Sequence, residues 1–185
     1  MTSSIFLASK RLGKATLQKR FPGAVVLDVT SKGPEPWVRF SPFYPHGGIP
    51  VPFSDGLVGA SVEGIWQGLK VFEKFDVDAS KFNVTSMKGL KRTTRSFGRV
   101  LGHRKGMQGE ELLPYLDARR LIYLPCYKWV LEHKLASELQ EMRQLLESKS
   151  IVLLDYETNT EVANLRSPLS HAALVKAYLE QAWPG

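Results

Sequence analysis

Residues 61–75 read SVEGIWQGLKVFEKF. Val62, Ile65, Trp66, Leu69 and Phe72 recur at helical spacing, which predicts one amphipathic helix across the whole stretch. Ser61 is placed to cap it, and Glu63 falls in the first turn, where the helix dipole favours a carboxylate. Glu63, Gln67 and Lys70 stand at i, i+4 and i+7 and form a narrow polar stripe. Gly64 and Gly68 line a neighbouring strip where another group can approach the backbone. Such a stripe reads either as a solvated face or as one wall of a site, and the segment that precedes it favours the site.

That segment, residues 33–59, is rich in proline and glycine yet carries Trp37, Phe40, Phe43, Tyr44 and Phe53. Six of the eleven prolines lie between Pro34 and Pro52, which lowers the entropy lost on ordering the chain. A linker would lack the aromatic residues. An ordered loop packed by its own rings is more often functional than connecting. It is therefore expected to wall a pocket whose floor is the start of the 61–75 helix.

Around this centre the sequence predicts a helix over 9–20 and a buried strand over 24–30, with a second short strand over 37–40. A helix is expected over 82–97. Residues 110–146 read as helical, broken near Pro114 and Pro125. A strand follows over 150–156. A last helix is expected to start at Ser167-Pro168, with Ser167 as cap and Pro168 in its first turn. The fold class is α+β: a helix-rich single domain over 1–185 around a small β-sheet, with 1–23 a basic, peripheral segment.

The net charge of +7 favours an anionic partner. Residues 88–105 contain Lys88, Lys91, Arg92, Arg95, Arg99, Arg104 and Lys105 and no acid, so this one segment accounts for the whole excess. Lys88, Lys91, Arg92, Arg95 and Arg99 fall on one face if the segment is helical, a face suited to a diphosphate or a nucleic-acid backbone.

A lone Cys126 excludes an internal disulfide and a paired-cysteine zinc site, and points to a reducing compartment. The four histidines, His46, His103, His133 and His171, show no metal-ligand spacing, so neither a metal nor a cofactor is expected. Neither a P-loop nor a GxGxxG motif is present. No apolar run is long enough to cross a bilayer. The expected location is the cytoplasm. The first 27 residues, free of acids, also have the composition of an organelle transit peptide; the simpler reading is a basic helix leading into a strand.

Phe40-Ser-Pro-Phe43, Asp55-Gly56, Ser61-Val-Glu63, Gln67 and Lys70 together resemble the signature of the NADAR superfamily. The match covers about residues 39–72. Gly98-Arg99 resembles a further Gly-Arg element of that family. The family's loop asparagine is Pro42 here, and the histidine after its glutamate is Gly64.

The resemblance implies a helix-rich α+β fold and a link to NAD and ADP-ribose metabolism. Family members include N-glycosidases of phosphoribosylamine intermediates and enzymes that remove ADP-ribose from guanine bases. The implied function here is hydrolysis of an N-ribosyl bond in an ADP-ribosyl or phosphoribosyl substrate. The alternative is a non-catalytic module that binds ADP-ribose or nucleic acid on the same fold.

Cleavage of such a bond passes through an oxocarbenium-like state that a carboxylate stabilises. The resemblance and its position make Glu63 the catalytic candidate, with Asp155 as a second. Phe40, Phe43, Tyr44, Gln67, Lys70, Lys91, Arg95 and Arg99 are the substrate-binding candidates. The expected partner is a phosphate-bearing small molecule or an ADP-ribosylated nucleic acid, and no membrane.

Overall fold

Two apolar pentads far apart in sequence, IFLAS at 5–9 and IVLLD at 151–155, become neighbouring strands. The computed structural model describes residues 3–184. Within these the chain divides into two compact units. One comprises the described residues up to Ser41 together with those from Leu135 onward; the other is Pro42–Lys134.

In the first unit β1 (Ile5–Ser9) and β2 (Val25–Asp28) flank β8 (Ile151–Asp155), and both pair with it in parallel. A central parallel strand has no solvated face, which is why all five residues of β8 are apolar or satisfied, and buried. Helix α1 (Lys14–Arg20) connects β1 to β2 and sets Leu17 against Ala8, Val152 and Leu154. Helices α6 (Ala136–Leu146) and α7 (His171–Leu179) also pack on β8.

The second unit contains a short antiparallel ribbon, β3 (Ile49–Pro50) with β4 (Val58–Gly59). It also contains α2 (Val62–Gly68) and an antiparallel sheet of β5 (Lys70–Phe72), β6 (Val100–Arg104) and β7 (Leu112–Leu113). A long helix closes it: α4 (Tyr115–Ala118), a π-helical stretch Arg119–Tyr123 and α5 (Leu124–Lys134) run on continuously. The architecture is α+β with three small sheets among the described residues.

Several expectations are corrected. The stretch 9–20 begins as the end of β1, and only Lys14–Arg20 is helical. Trp37–Phe40 is a single 3₁₀ turn, held by Arg39 N–H donating to the Pro36 carbonyl at 3.1 Å and Ser41 N–H donating to the Val38 carbonyl at 3.0 Å. The 61–75 helix stops at Gly68, because β5 is drawn into pairing with β6. Residues 82–97 form no helix of that length. A 3₁₀ turn covers Ala79–Asn83, Gly89 adopts φ +71°, and α3 is only Thr94–Phe97.

Pro125 breaks nothing. A proline ring crowds the preceding turn, and the wider π stretch just before it makes room. The break falls at Leu135 instead, where φ and ψ are −125° and 21°. The last helix starts at His171 and is capped by Ser170, whose Oγ accepts from Ala173 N–H at 3.1 Å.

No helix among the described residues is long and apolar enough to cross a membrane.

Candidate active site

Helix α2 is where sequence and structure agree on the start and differ on the surroundings. Ser61 caps it as expected, its Oγ accepting from Gly64 N–H at 3.0 Å. Glu63 N–H donates to the Pro42 carbonyl at 2.8 Å, so the loop fixes the first turn. All seven residues of the helix are buried, and the Glu63–Gln67 stripe is not a solvated face. Gly64 is required by packing, since a Cβ there would sit 2.6 Å from the Lys81 carbonyl oxygen.

The Glu63 carboxylate sits in a directed network. Gln67 Nε2 donates to Glu63 Oε1 at 2.8 Å, while Gln67 Oε1 accepts from Arg92 N–H at 3.1 Å. The backbone donor fixes which end of the amide faces the carboxylate. Arg92, expected on an exposed cationic face, is buried. Its guanidinium donates to the carbonyls of Gln67 (3.2 Å), Lys70 (2.7 Å) and Asp76 (2.7 Å). It lies over the rings of Phe72 and Phe97 as well. Arg92 is a clamp that ties α2 to β5 and to the turn that follows.

Lys70, half-buried, places its ammonium 5.8 Å from the centre of the Trp66 ring. Trp66 packs on His103 at 3.7 Å and meets Tyr115 and Tyr123 edge-on at 5.5 and 5.7 Å. Lys91 is exposed, its ammonium 5.7 Å from the Phe43 ring. One aromatic residue of the loop, Phe43, and two cations thus join Glu63 and Gln67 in one unit.

These surroundings shift the titrating groups in opposite directions. Burial pushes the Glu63 carboxyl above its ordinary 4.5, against the pull of the Gln67 amide and of the Lys70 and Lys91 charges. Burial pulls the Lys70 amine below 10.5, opposed by Glu63 and aided by Arg92 and Lys91. Burial thus works against both charged forms, and each charge draws the other group's titration back toward its ordinary value.

The remaining candidates have contacts of their own. Phe40 is fully buried and stacked on Trp37 at 6.3 Å in the first unit. Tyr44 packs with His46 at 4.8 Å. The single cationic helix face does not exist: Arg95 is exposed on α3, and Arg99 pairs with Glu73 at 3.2 Å. Arg104 and Lys105 have acidic partners too, Asp76 and Glu111.

Asp155 belongs to the first unit, at the end of β8. Its Oδ2 accepts from Ser170 Oγ at 2.8 Å and lies 3.0 Å from His171 Nδ1, and its Oδ1 accepts from Tyr156 N–H at 2.7 Å. His171 Nε2 contacts the Val29 carbonyl at 2.8 Å.

Sequence reasoning missed His103 and Arg119 as neighbours of Trp66 and Tyr115. Neither residue belongs to a recognisable spacing. Only the β5–β6 register and the π stretch bring them in. No group of three or more His, Cys, Asp or Glu able to hold a metal ion occurs among the described residues.

Fold and cluster together define an α+β protein with a buried carboxylate coupled to an amine on an aromatic bed. The chain belongs to the family described as a family of unknown function (DUF6939), whose profile matches residues 9–175. No curated protein and no solved structure matches it.

Proposed function

We propose that the Pro42–Lys134 unit hydrolyses the N-ribosyl bond of an ADP-ribosyl or phosphoribosyl compound, with Glu63 as the catalytic carboxylate. The observation that carries this reading is the setting of Glu63. It is buried, one oxygen is held by Gln67, and Lys70 and Lys91 are the cations acting on it. Its NADAR-like sequence context supports the same role.

In the reaction the C1′–N bond breaks and its electron pair goes to the base nitrogen. Water attacks C1′, and the proton that water loses is taken up through Glu63 and delivered to the departing base. The carboxylate also stabilises the positive charge that develops on the sugar. Lys70 and Lys91 hold the phosphate of the substrate, and Phe43 offers a ring face. No cofactor is needed for this chemistry.

The test is to incubate the protein with NAD, AMP and a phosphoribosylamine and follow the new reducing sugar and the free base. The expected result is turnover of at least one of them by the wild type and none by Glu63→Gln. Equal turnover by the variant would remove Glu63 from the mechanism.

A further inference from the structure

His103 is fully buried, and neither of its ring nitrogens has a hydrogen-bond partner among the described residues. It lies on β6 directly across from Lys70 on β5. Its ring packs against Trp66 at 3.7 Å with the two planes tilted by 32°, and Tyr115 stands 6.2 Å away at a steep angle. Leaving a buried donor and a buried acceptor unmet is costly, and such groups call for an explanation. Packing alone does not supply one, because a phenylalanine would fill the same space without the polar penalty.

The neighbours point to a ligand. Lys70 is both the strand partner of His103 and the amine over the Trp66 ring, and Trp66 is on the same helix as Glu63. Within this cluster Tyr115 is exposed and Lys70 half-buried, so these two side chains are the ones an incoming molecule meets.

The chemistry of the ring narrows the contact. A neutral imidazole offers one N–H and one lone pair. The N–H can donate to any acceptor oxygen, but the lone pair repels one, whereas a hydroxyl both donates and accepts and so fits either nitrogen. We propose that His103 is a substrate-contacting residue of the Glu63 site, with a ring nitrogen hydrogen-bonded to a ribosyl hydroxyl; this rests on the reading of Glu63 given above. Burial and the Lys70 charge pull the His103 imidazole down to about 3, so it is neutral throughout the working range.

The test uses the full chain labelled with ¹⁵N-histidine and titrated with ribose 5-phosphate, with inorganic phosphate and with adenine. The His103 ring signals are identified by their absence in His103→Gln. They are expected to move with ribose 5-phosphate and to stay fixed with the other two. His103→Phe should weaken ribose 5-phosphate binding by about tenfold, the scale of one lost hydrogen bond. His103→Gln, which keeps a donor and an acceptor, should recover part of it.

The melting temperature of His103→Phe should equal or exceed that of the wild type, because no hydrogen bond within the described residues is lost. Stationary ring signals, movement with adenine alone, or wild-type affinity in His103→Phe would overturn the proposal. Where His103→Phe does not fold, the NMR titration decides by itself. Failure of the Glu63 reading shows separately, as turnover retained in Glu63→Gln.

Discussion

The Gln67 side-chain amide donates to Glu63 Oε1 at 2.8 Å, and the same amide accepts the Arg92 N–H. Because the accepting end is committed to the backbone, the donating end must face the carboxylate. Gln67→Leu removes a hydrogen bond that favours the charged form of Glu63, whose carboxyl burial already pushes up. The acidic limb of the pH–rate profile should therefore move to higher pH. The Arg92 N–H also loses its acceptor, at a cost of roughly 1–3 kcal/mol of stability. Chemical denaturation together with the pH–rate profile checks both; an unmoved acidic limb would show that Gln67 does not tune the carboxylate.

Glu63→Gln should raise stability at neutral pH while abolishing turnover. The folded chain binds the Glu63 proton more tightly than the unfolded chain, because the folded carboxyl is raised above 4.5. Stability from this group is complete below 4.5 and is lost as pH rises through the raised value. A glutamine carries no such penalty. Denaturant midpoints at pH 5 and pH 8 should differ less in the variant than in the wild type, with the gain appearing at pH 8. A variant less stable than wild type at pH 8 would mean that Glu63 is satisfied as an anion.

How much of this was legible in the sequence depends on the range of the interaction. The cap at Ser61 and the strand cores at 25–28 and 151–155 follow from local pattern, and both were readable. The end of α2 was not. Val71 and Phe72 continue a helical apolar period, yet the pairing of Lys70 with His103 takes them into a sheet. The cationic stripe failed for the same reason. Its spacing presumed a helix across Gly89, while Arg92 spends its charge on three carbonyls of its own unit. Glu63, Gln67 and Lys70 were readable as one stripe because four-residue spacing survives in a two-turn helix and its exit. His103 could not be found, since its partners are set by strand register.

The proposed anion contacts should divide cleanly. Lys91 and Arg95 are exposed, whereas Arg99 is paired with Glu73. Lys91→Gln with Arg95→Gln should weaken ribose 5-phosphate and flatten the salt dependence of its binding, because fewer charges meet the phosphate. Arg99→Gln alone should change little, as an exposed ion pair contributes little. Calorimetric titrations at two salt concentrations distinguish them. Equal loss from both variants would restore Arg99 to the site.

The Asp155–His171 pair should make the stability of the first unit depend on pH at both ends. Burial would by itself push the Asp155 carboxyl up. The adjoining His171, with the Ser170 and Ala172 hydrogen bonds, more than offsets that and holds it below 3.8. Burial likewise works against the His171 cation, but Asp155 and the Val29 carbonyl hold it above 6.5. The sign differs for the two groups. The histidine's contribution is complete below 6.5 and is lost as pH rises through its raised value; the carboxylate's is present above 3.8 and is lost as pH falls through its lowered value. Unfolding free energy should thus pass through a plateau between these limits and decline on the alkaline side. His171→Gln keeps a side-chain donor but cannot titrate, so it should be less stable than wild type at pH 6 and show no alkaline decline from this source. Denaturant midpoints measured from pH 5 to pH 9 give the comparison, and parallel curves for the two proteins would mean that His171 is neutral in the folded chain.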